Sequence, residues 1–335
     1  MTAAETCIVM LTALGDAVHV LPLLTAIKRH DPTTRLTWVT QPAPAALVRG
    51  HPALDELIVF ERARGWRAFL DARAATAGRR FGVLLDLQTY FKAGLLTAAL
   101  PAEVKLGFDR ARARDLNWLF TTRRIAPNPG RHHIQDQYFE FLAALAIPRD
   151  PIAWNLGPWP SERPWQQQFF AQFDRPIAAL VIGTSRPQKD WLPDRWAAVT
   201  DALYADFGLQ PVLVGGTTAR ERQTAAEIQA TARHPVHDAL GSGLRPLVSI
   251  LDGAALVISL DTGPLHMAVA LGRPVISLIG YHDPAIFGPY RRYHDLLIDA
   301  YGDPATGPRL RPGHMTRITP ADVIAKIDVW RARHR

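Results

Sequence analysis

Short apolar runs alternate with segments of helical periodicity along the first half of the chain. Each run is rich in Val, Leu or Ile and has the length of a strand buried on both faces of a sheet. The predicted strands are residues 7–13, 35–40, 56–60 and 81–87. Residues 17–29 carry apolar side chains at helical spacing, and His30-Asp31-Pro32 ends this predicted helix. The alternation predicts parallel βαβ units with a ligand edge at the carboxyl ends of the strands, where Asp16 follows the first strand.

The same alternation restarts after a proline-rich segment at residues 147–165. This segment contains five prolines and shows neither period, so it predicts a linker between two domains. Beyond it, strands are predicted at residues 178–182, 211–214, 256–260 and 274–279, and helices at 192–207, from 219, at 244–251 and at 320–332. Two similar α/β halves predict a ligand in the cleft between them.

The most informative stretch is residues 255–280, where two predicted strands flank one short helix. Asp261 and Thr262 are capping candidates for this helix, Gly263 allows a tight turn, and a proline follows at the first helical position. Backbone N–H groups and the helix dipole make such a helix start suitable for a phosphate. His266 falls in the first turn and would add a donor from the same side. The structural alternative is that these residues only cap the helix and that the histidine is partly buried.

The composition is that of a globular protein with room for two domains. The chain has 335 residues, of which 48% are hydrophobic and 21% charged. A single cysteine, Cys7, excludes a disulfide within the chain and favours a cytosolic location. No Lys or Arg precedes the apolar stretch 7–14, which argues against a signal peptide, and no run has the length of a membrane-spanning helix.

The formal net charge of +7 predicts an anionic partner. Residues 1–160 hold 19 Lys and Arg against 14 Asp and Glu, whereas residues 161–335 hold 19 against 17, so the basic surface is expected in the first half. Nucleic acid is not the predicted partner because no zinc, helix-turn-helix or RNA-binding signature accompanies the charge. His132, His133 and Asp136 lack further ligands at suitable spacing, so no metal site is predicted.

Four segments together resemble glycosyltransferase family 9, which includes the lipopolysaccharide heptosyltransferases. They are LGDAVHVLPLLTAIKRHDP at 14–32, TSRPQKDWLPDRW at 184–196, LVGG at 213–216 and, most specific, SLDTGPLHMAVALGRPVISLIG at 259–280. The resemblance implies an α/β GT-B fold of two Rossmann-like domains, with mainly parallel sheets, that face a central cleft. The implied domains are an acceptor-binding domain at 1–160, a nucleotide-sugar-binding domain at 161–318 and a C-terminal helix, 319–335, that packs back on the first domain.

The resemblance also assigns roles to individual residues. Asp16 occupies the position of the general base that deprotonates an acceptor hydroxyl, with an N-cap of the next helix as its structural alternative. Lys189 matches the basic residue that contacts the donor phosphates, with a solvated loop lysine as its alternative. The other implied donor contacts are Thr184, Ser185, Thr262, Gly263 and His266, with Asp261 orienting the loop. Glu221 is a candidate for a ribose hydroxyl, by analogy with acidic residues that follow Rossmann strands, or for a helix-start charge.

On the acceptor side, the segment ERARGWR at 61–67 looks like the basic segment with which heptosyltransferase I enzymes meet the carboxylates of the Kdo sugars. The carried-over candidates are Arg62, Arg64 and Arg67, and Arg114 lies in a second basic cluster, RARARD, at 110–115. Solvated surface charge is the alternative for each arginine. Residues 281–284 follow the last strand of the signature and are expected to tune donor choice, and residues 288–304 receive no chemistry.

The implied function is an inverting glycosyltransferase that needs no metal or other cofactor. It would move heptose from ADP-heptose to the Kdo region of a lipid A precursor, an anionic glycolipid, in lipopolysaccharide biosynthesis. The expected location is cytoplasmic, with peripheral contact at the cytoplasmic face of the inner membrane. Three alternatives stay open: a family 9 enzyme with another donor or acceptor, including a protein; a UDP-sugar 2-epimerase; and a nucleotide-sugar-binding protein without transfer activity.

Overall fold

The computed structural model of the chain describes residues 5–301 and 314–334. The chain divides into two compact units, Met1–Leu156 and Gly157–Arg335. The boundary between them lies inside the proline-rich segment 147–165, where the sequence predicts a linker. The sequence assigns no chemistry to residues 288–304, and the last three of these, 302–304, lie outside the described residues. The division into an acceptor-binding half and a donor-binding half stays a prediction.

The first unit is built on one parallel sheet, with strand order β3-β2-β1-β4-β5-β6. Its strands are β1 (Glu5–Val9), β2 (Arg35–Thr40), β3 (Glu56–Val59), β4 (Phe81–Asp86), β5 (Ala102–Gly107) and β6 (Arg123–Arg124). Its helices are α1 (Leu14–His30), α2 (Pro42–Val48), α3 (Arg67–Ala75), α4 (Phe91–Ala99) and α5 (Ile134–Ala144), with 3₁₀ turns at Arg62–Arg64 and Asn117–Phe120. Strands β1, β2 and β4 are buried on both faces, which explains their continuous apolar runs.

The second unit repeats this plan, with strand order β12-β11-β10-β7-β8-β9. Its strands are β7 (Ile177–Val181), β8 (Gln210–Val214), β9 (His237–Asp238), β10 (Leu256–Leu260), β11 (Val275–Ile279) and β12 (Leu297–Asp299). Its helices are α6 (Arg163–Phe170), α7 (Pro193–Ala205), α8 (Ala219–Thr231), α9 (Leu244–Gly253), α10 (Gly263–Ala270), α11 (Pro284–Phe287) and α12 (Pro320–Arg333). All of the strand pairs in both sheets are parallel.

Each sheet has one place where the strand order reverses. In the first sheet this switch point lies between β1 and β4, where Val9 pairs with Asp86. In the second sheet it lies between β7 and β10, where Val181 pairs with Ser259. Helices on opposite faces diverge at a switch point and leave a crevice beyond the carboxyl ends of the strands, which is where open α/β sheets bind ligands. The two switch points are therefore the places at which to look for sites.

The C-terminal helix α12 has an apolar stripe made by Val323, Ile327 and Trp330. All three side chains are buried in the core of the second unit, together with residues of α7. A capping box in which Thr319 and Asp322 exchange hydrogen bonds fixes the start of the helix. A contact of residues 319–335 with the first domain stays a prediction.

Candidate active site

Asp16 lies at the switch point of the first sheet, in the first turn of α1. The helix begins at Leu14, and its N-cap residue is Ala13, whose φ of 22° is unusual for a residue other than glycine. No side chain caps this helix. The structural alternative for Asp16, an N-cap, is therefore wrong, because its carboxylate is directed to other partners.

Two hydroxyl groups hold the Asp16 carboxylate. Thr12 Oγ1 donates a hydrogen bond to Asp16 Oδ2 at 3.2 Å. The phenol of Tyr138, which is buried in α5, also hydrogen-bonds to Asp16. Burial raises the pKa of Asp16 to about 6, although both hydrogen bonds oppose this rise. A carboxylate of this kind is ionised at neutral pH and is a stronger proton acceptor than an ordinary aspartate, as a general base requires.

A second buried carboxylate supports this loop from the end of β4. Gln88 Nε2 donates to Thr12 Oγ1 at 3.1 Å, and the backbone N–H of Gln88 donates to Asp86 Oδ1 at 3.1 Å. Thr97 and Asn117 donate to the other oxygen of Asp86 at 2.9 and 3.1 Å. Burial raises the pKa of Asp86 to about 6 as well. This network links both sides of the switch point, and no local sequence pattern indicates it.

Replacing Tyr138 by Phe tests how the phenol acts on Asp16. Its hydrogen bond favours the ionised carboxylate, so its loss should raise the pKa of Asp16 above about 6. The acid limb of the pH profile of kcat/KM should then move to higher pH, by about one unit for a bond of ~1.5 kcal/mol. Tyr204→Phe makes the same chemical change in the second unit and should leave the profile in place. An unmoved acid limb in Tyr138→Phe would contradict this role of the phenol.

Lys189 and Asp261 form a buried ion pair at the switch point of the second sheet. Lys189 Nζ lies 3.0 Å from Asp261 Oδ2, and the two side chains are 9% and 7% exposed. The same ammonium donates to the backbone carbonyl of Asp261 at 3.0 Å. The alternative of a solvated loop lysine is therefore wrong, and the pair fixes the Lys189 ammonium at the carboxyl end of β10.

The segment that follows β11 adds two aromatic side chains, His282 and Tyr281, to the Lys189–Asp261 pair. His282 Nδ1 lies 2.6 Å from Asp261 Oδ2. Burial alone would raise the pKa of Asp261, but the hydrogen bond from His282 and the charge of Lys189 outweigh burial and hold the pKa below its usual value. The ring centroid of Tyr281 lies 5.6 Å from Lys189 Nζ, and its hydroxyl accepts a hydrogen bond from Arg186 at 3.0 Å. Tyr281 and His282 thus join Lys189 and Asp261 in one cluster, which we call the Lys189 cluster.

Helix α10 begins at this point without a side-chain cap. Thr262 is the N-cap residue, but its hydroxyl accepts no hydrogen bond from the first turn, and Asp261 is engaged by Lys189. Thr262 thus occupies a predicted N-cap position, but neither it nor Asp261 caps the helix through its side chain, in contrast to α8 and α12, which have capping boxes. His266 is buried in the first turn of α10, after Gly263. An uncapped helix start beside a buried ammonium is an arrangement suited to an anion.

Thr184 and Ser185 lie in the loop after β7. Thr184 Oγ1 lies 2.5 Å from Asp190 Oδ1, and Ser185 is exposed. Arg220, at the start of α8, donates to the carbonyl of Thr184 at 2.5 Å and pairs with Asp190 at 2.6 Å. Burial raises the pKa of Asp190. Arg220 therefore ties the loop after β7 to α8, a contact between segments 36 residues apart that no local pattern indicates.

Glu221 is buried, and both of its carboxylate oxygens accept hydrogen bonds within its own loop. The N–H of Gly216 donates to Oε1 at 2.7 Å, while the N–H and the hydroxyl of Thr218 donate to Oε2 at 3.0 and 2.7 Å. A Cβ atom at Gly183 would lie 1.9 Å from Glu221 Oε1, so only glycine fits there. The helix-start interpretation of Glu221 is confirmed, and its contact with a ribose stays a prediction.

Replacing Thr218 by Ala should weaken the start of α8. The substitution removes the N-cap hydroxyl of the capping box, and we expect a loss of about 1 kcal/mol in the free energy of unfolding. Denaturation with urea measures this difference. Thr217→Ala, at the adjacent exposed position, is the matched control and should change little. Equal stabilities of the two variants would show that the capping box contributes nothing.

The predicted acceptor arginines are exposed in the first unit. Arg62 and Arg64 lie in the 3₁₀ turn after β3, and Arg67 begins α3. Arg64 pairs with Asp71 at 2.8 Å. Their guanidinium groups therefore face solvent, which fits both a carboxylate-binding role and the surface-charge alternative.

The arginines of the second basic cluster, residues 110–115, have different environments. Arg114 is exposed, as a ligand contact requires, whereas Arg112 pairs with Asp109 and with Glu140. Arg112 therefore fixes the fold of this segment. The predicted donor residues thus all belong to the second unit, where Asp261 contacts Lys189 directly, while Asp16 and the predicted acceptor arginines belong to the first.

Curated proteins similar to this chain include two that are named lipopolysaccharide heptosyltransferases. The chain is 29% identical to the lipopolysaccharide core heptosyltransferase OpsX of Haemophilus influenzae over 300 residues, which cover 89% of this chain and 85% of that protein. It is 28% identical to lipopolysaccharide heptosyltransferase 1 of Salmonella typhimurium, over 84% of this chain and 90% of that protein.

Solved structures show the same fold. A family 9 glycosyltransferase of Veillonella parvula matches with a TM-score of 0.83 at 21% identity, over 97% of this chain and 96% of that one. The E. coli heptosyltransferase WaaC with ADP matches with a TM-score of 0.76 at 24% identity, over 98% of each chain. The predicted α/β fold class, GT-B, is thereby confirmed.

The family itself follows from a sequence model. The model of glycosyltransferase family 9 (heptosyltransferase) matches residues 73–304, which include the Lys189 cluster and the start of α10. This is a family of glycosyltransferases, which argues against the epimerase and against the binding protein without transfer activity. Because most of its length fits the model, and because its two sheets have the fold of the family's solved structures, the chain belongs to glycosyltransferase family 9 (heptosyltransferase).

Proposed function

We propose that the protein transfers heptose from ADP-heptose to the Kdo region of a lipid A precursor, with inversion and without a metal. The observation that carries the proposal is the uncapped start of α10 beside the buried Lys189–Asp261 pair. This arrangement supplies backbone donors and a positive charge for a diphosphate. The choice of heptose and ADP draws on the relatives, which are named heptosyltransferases, and on a solved heptosyltransferase that contains ADP.

The proposed reaction is a single displacement. The acceptor hydroxyl loses its proton to Asp16 and forms a bond to the anomeric carbon of the heptose, while the bond from that carbon to the diphosphate oxygen breaks. ADP leaves with the bonding electrons and gains negative charge. In this proposal Lys189 and the N–H groups of α10 offset that charge. Because they stabilise the departing diphosphate, the reaction does not need a metal ion for this purpose. The acceptor hydroxyl attacks the anomeric carbon from the face opposite the leaving diphosphate, and this inverts the configuration of that carbon.

The acceptor assignment depends on exposed arginines of the first unit. Arg62, Arg64, Arg67 and Arg114 offer guanidinium groups that suit carboxylates and phosphates. The acceptor proposed above, a lipid A precursor, is an anionic glycolipid of a membrane, so we also propose peripheral contact with the cytoplasmic face of the inner membrane. Within residues 5–301 and 314–334, none of the helices combines the length and the apolar character needed to cross a bilayer.

Calorimetry with ADP, UDP and GDP tests the donor half of the proposal. We expect ADP to bind best, and ADP-heptose to bind to the same site. His266→Ala should weaken ADP binding if this buried side chain contacts a phosphate. If UDP or GDP binds best, the family and the fold stand but the heptose assignment fails, and another donor takes its place. If no nucleotide binds, the interpretation of α10 as a phosphate site is wrong.

A further inference from the structure

Exposed apolar side chains concentrate in one part of the first unit. Of the large apolar side chains that stay exposed in the described chain, seven lie between residues 66 and 119. They are Trp66, Leu70, Tyr90, Phe91, Leu95, Leu116 and Leu119. Their exposed fractions run from 38% for Leu95 to 68% for Trp66. Single exposed leucines are ordinary, but such a concentration marks an interaction surface. We call these seven side chains the apolar face.

The helices that carry the apolar face pack side by side on the first sheet. Ala68 of α3 and Leu96 of α4 belong to the same core cluster. At the other end of the pair, the Arg73 guanidinium donates to the carbonyl of Ala99 at 3.2 Å. The inward sides of both helices are therefore used by the core, and the exposed side chains lie on the sides that face away from it.

The loop after β5 adds the remaining members. The 3₁₀ turn Asn117–Phe120 packs on α4, where the rings of Phe91 and Phe120 lie 5.4 Å apart with their planes at 73°. Asn117 Nδ2 donates to the carbonyl of Tyr90 at 3.1 Å, which ties the turn to the start of α4. Leu116 adopts a φ of 61°, a left-handed conformation that leucine rarely takes. Leu116 and Leu119 are thus displayed by a loop that is anchored to α4.

The same segment carries the positive charge of the protein. Residues 61–124 contain thirteen Lys and Arg against six Asp and Glu, a surplus of seven that equals the formal net charge of +7 of the whole chain. Several of these cations are exposed next to members of the apolar face. Three of them are Arg67, Lys92 and Arg114.

We propose that the apolar face docks on an anionic lipid bilayer. Trp, Tyr, Phe and Leu side chains enter the boundary between headgroups and acyl chains, while Lys and Arg extend to the phosphates. The surplus of cations is attracted by the negative potential of the bilayer surface. A second copy of the chain is a poorer occupant, because a two-fold contact through this face would bring cations of both copies together.

This inference deepens the peripheral contact included in the proposed function by naming the surface that makes it. Binding to a vesicle needs neither a sugar donor nor transfer. The two proposals can therefore fail separately, and one set of variants distinguishes them when vesicle binding and turnover are both measured.

Flotation with vesicles tests the docking surface. The probes are vesicles of phosphatidylcholine alone and of phosphatidylcholine mixed with phosphatidylglycerol. The wild type should float with the mixed vesicles and less with the neutral ones, and high salt should weaken binding. The double variant Phe91→Ser/Leu119→Ser should bind the mixed vesicles about tenfold or more weakly, since two apolar side chains are lost. Leu192→Ser, which changes an exposed leucine of the second unit, is the matched control and should bind like the wild type.

The outcomes separate the possible occupants. Wild-type binding that survives Phe91→Ser/Leu119→Ser, or is lost equally in Leu192→Ser, would overturn the proposal. So would the absence of vesicle binding combined with a concentration-dependent dimer that the double variant abolishes. Turnover on an acceptor saccharide without acyl chains should be unchanged in the double variant, which ties its weaker vesicle binding to the apolar face and not to a loss of the fold. Vesicle binding with no heptosyl transfer by the wild type would leave the docking surface standing and reject the proposed function.

Discussion

Asp16→Asn should lower turnover by a factor of about 10² to 10⁴, the usual contribution of a positioned general base. The amide keeps the size of the carboxylate and one acceptor oxygen for Thr12 or Tyr138, but it cannot take a proton. Calorimetric binding of ADP should be unchanged, because the Lys189 cluster lies in the other unit. Steady-state kinetics and calorimetry on the same preparation measure both quantities.

The stability of this variant shows whether the loss is chemical. The pKa of Asp16 is raised in the folded state, from 3.8 to about 6. Ionisation of Asp16 therefore destabilises the fold, and this loss of stability is complete once pH has risen through about 6. Asp16→Asn removes that ionisation and should unfold at a temperature no lower than the wild type at neutral pH. Asp150→Asn, at an exposed position of the same unit, is the control and should keep full turnover. Full turnover in Asp16→Asn would show that another group is the base.

Lys189→Met should affect both stability and nucleotide binding. It leaves the Asp261 carboxylate buried with only the hydrogen bond to His282 in place of the ion pair, and we expect a loss of about 3–5 kcal/mol in the free energy of unfolding. It also removes the ammonium that we assign to the diphosphate, so ADP should bind about tenfold to hundredfold more weakly. The pKa of Asp261 should rise, since the charge of Lys189 helps to hold it down. Urea denaturation and calorimetry measure the two effects.

A double variant separates the two roles of Lys189. Lys189→Met/Asp261→Asn removes the unpaired charge, so most of the lost stability should return while ADP binding stays weak. Lys326→Met changes a half-buried lysine that donates to the carbonyl of Asp295 at 2.6 Å, and it should leave ADP binding intact. If the double variant binds ADP as the wild type does, Lys189 serves only to neutralise Asp261.

The stretch around α10 is where sequence and structure agree best. Strand β10 was predicted at the residues where it lies, and α10 begins at Gly263, between the Asp-Thr pair and Pro264. Glycine and proline punctuation is local, so it can be read without knowing the fold. The start of α1 was placed three residues late, because nothing in the sequence shows that Ala13 adopts a positive φ and lets the helix begin at Leu14.

The partners of the site residues could not be predicted, because they are distant in the chain. Tyr138 reaches Asp16 from α5, which no periodic signal had predicted, and His282 reaches Asp261 across 21 residues and a whole strand. The capping alternatives for Asp261 and Asp16 fail for the same reason, because Lys189 and Tyr138, which are distant in the chain, engage their carboxylates. Tertiary contacts thus determine which polar side chains remain for chemistry.

The most direct measurement is a transfer assay with ADP-heptose and a Kdo-bearing lipid A precursor, followed by mass spectrometry. The account predicts that the acceptor gains one heptosyl residue, that one ADP is released for each residue transferred, and that Asp16→Asn gives almost none of this product. UDP- and GDP-sugars should give no product. Transfer from one of those sugars to the same acceptor, with none from ADP-heptose, would contradict the proposed function while leaving the family and the fold in place.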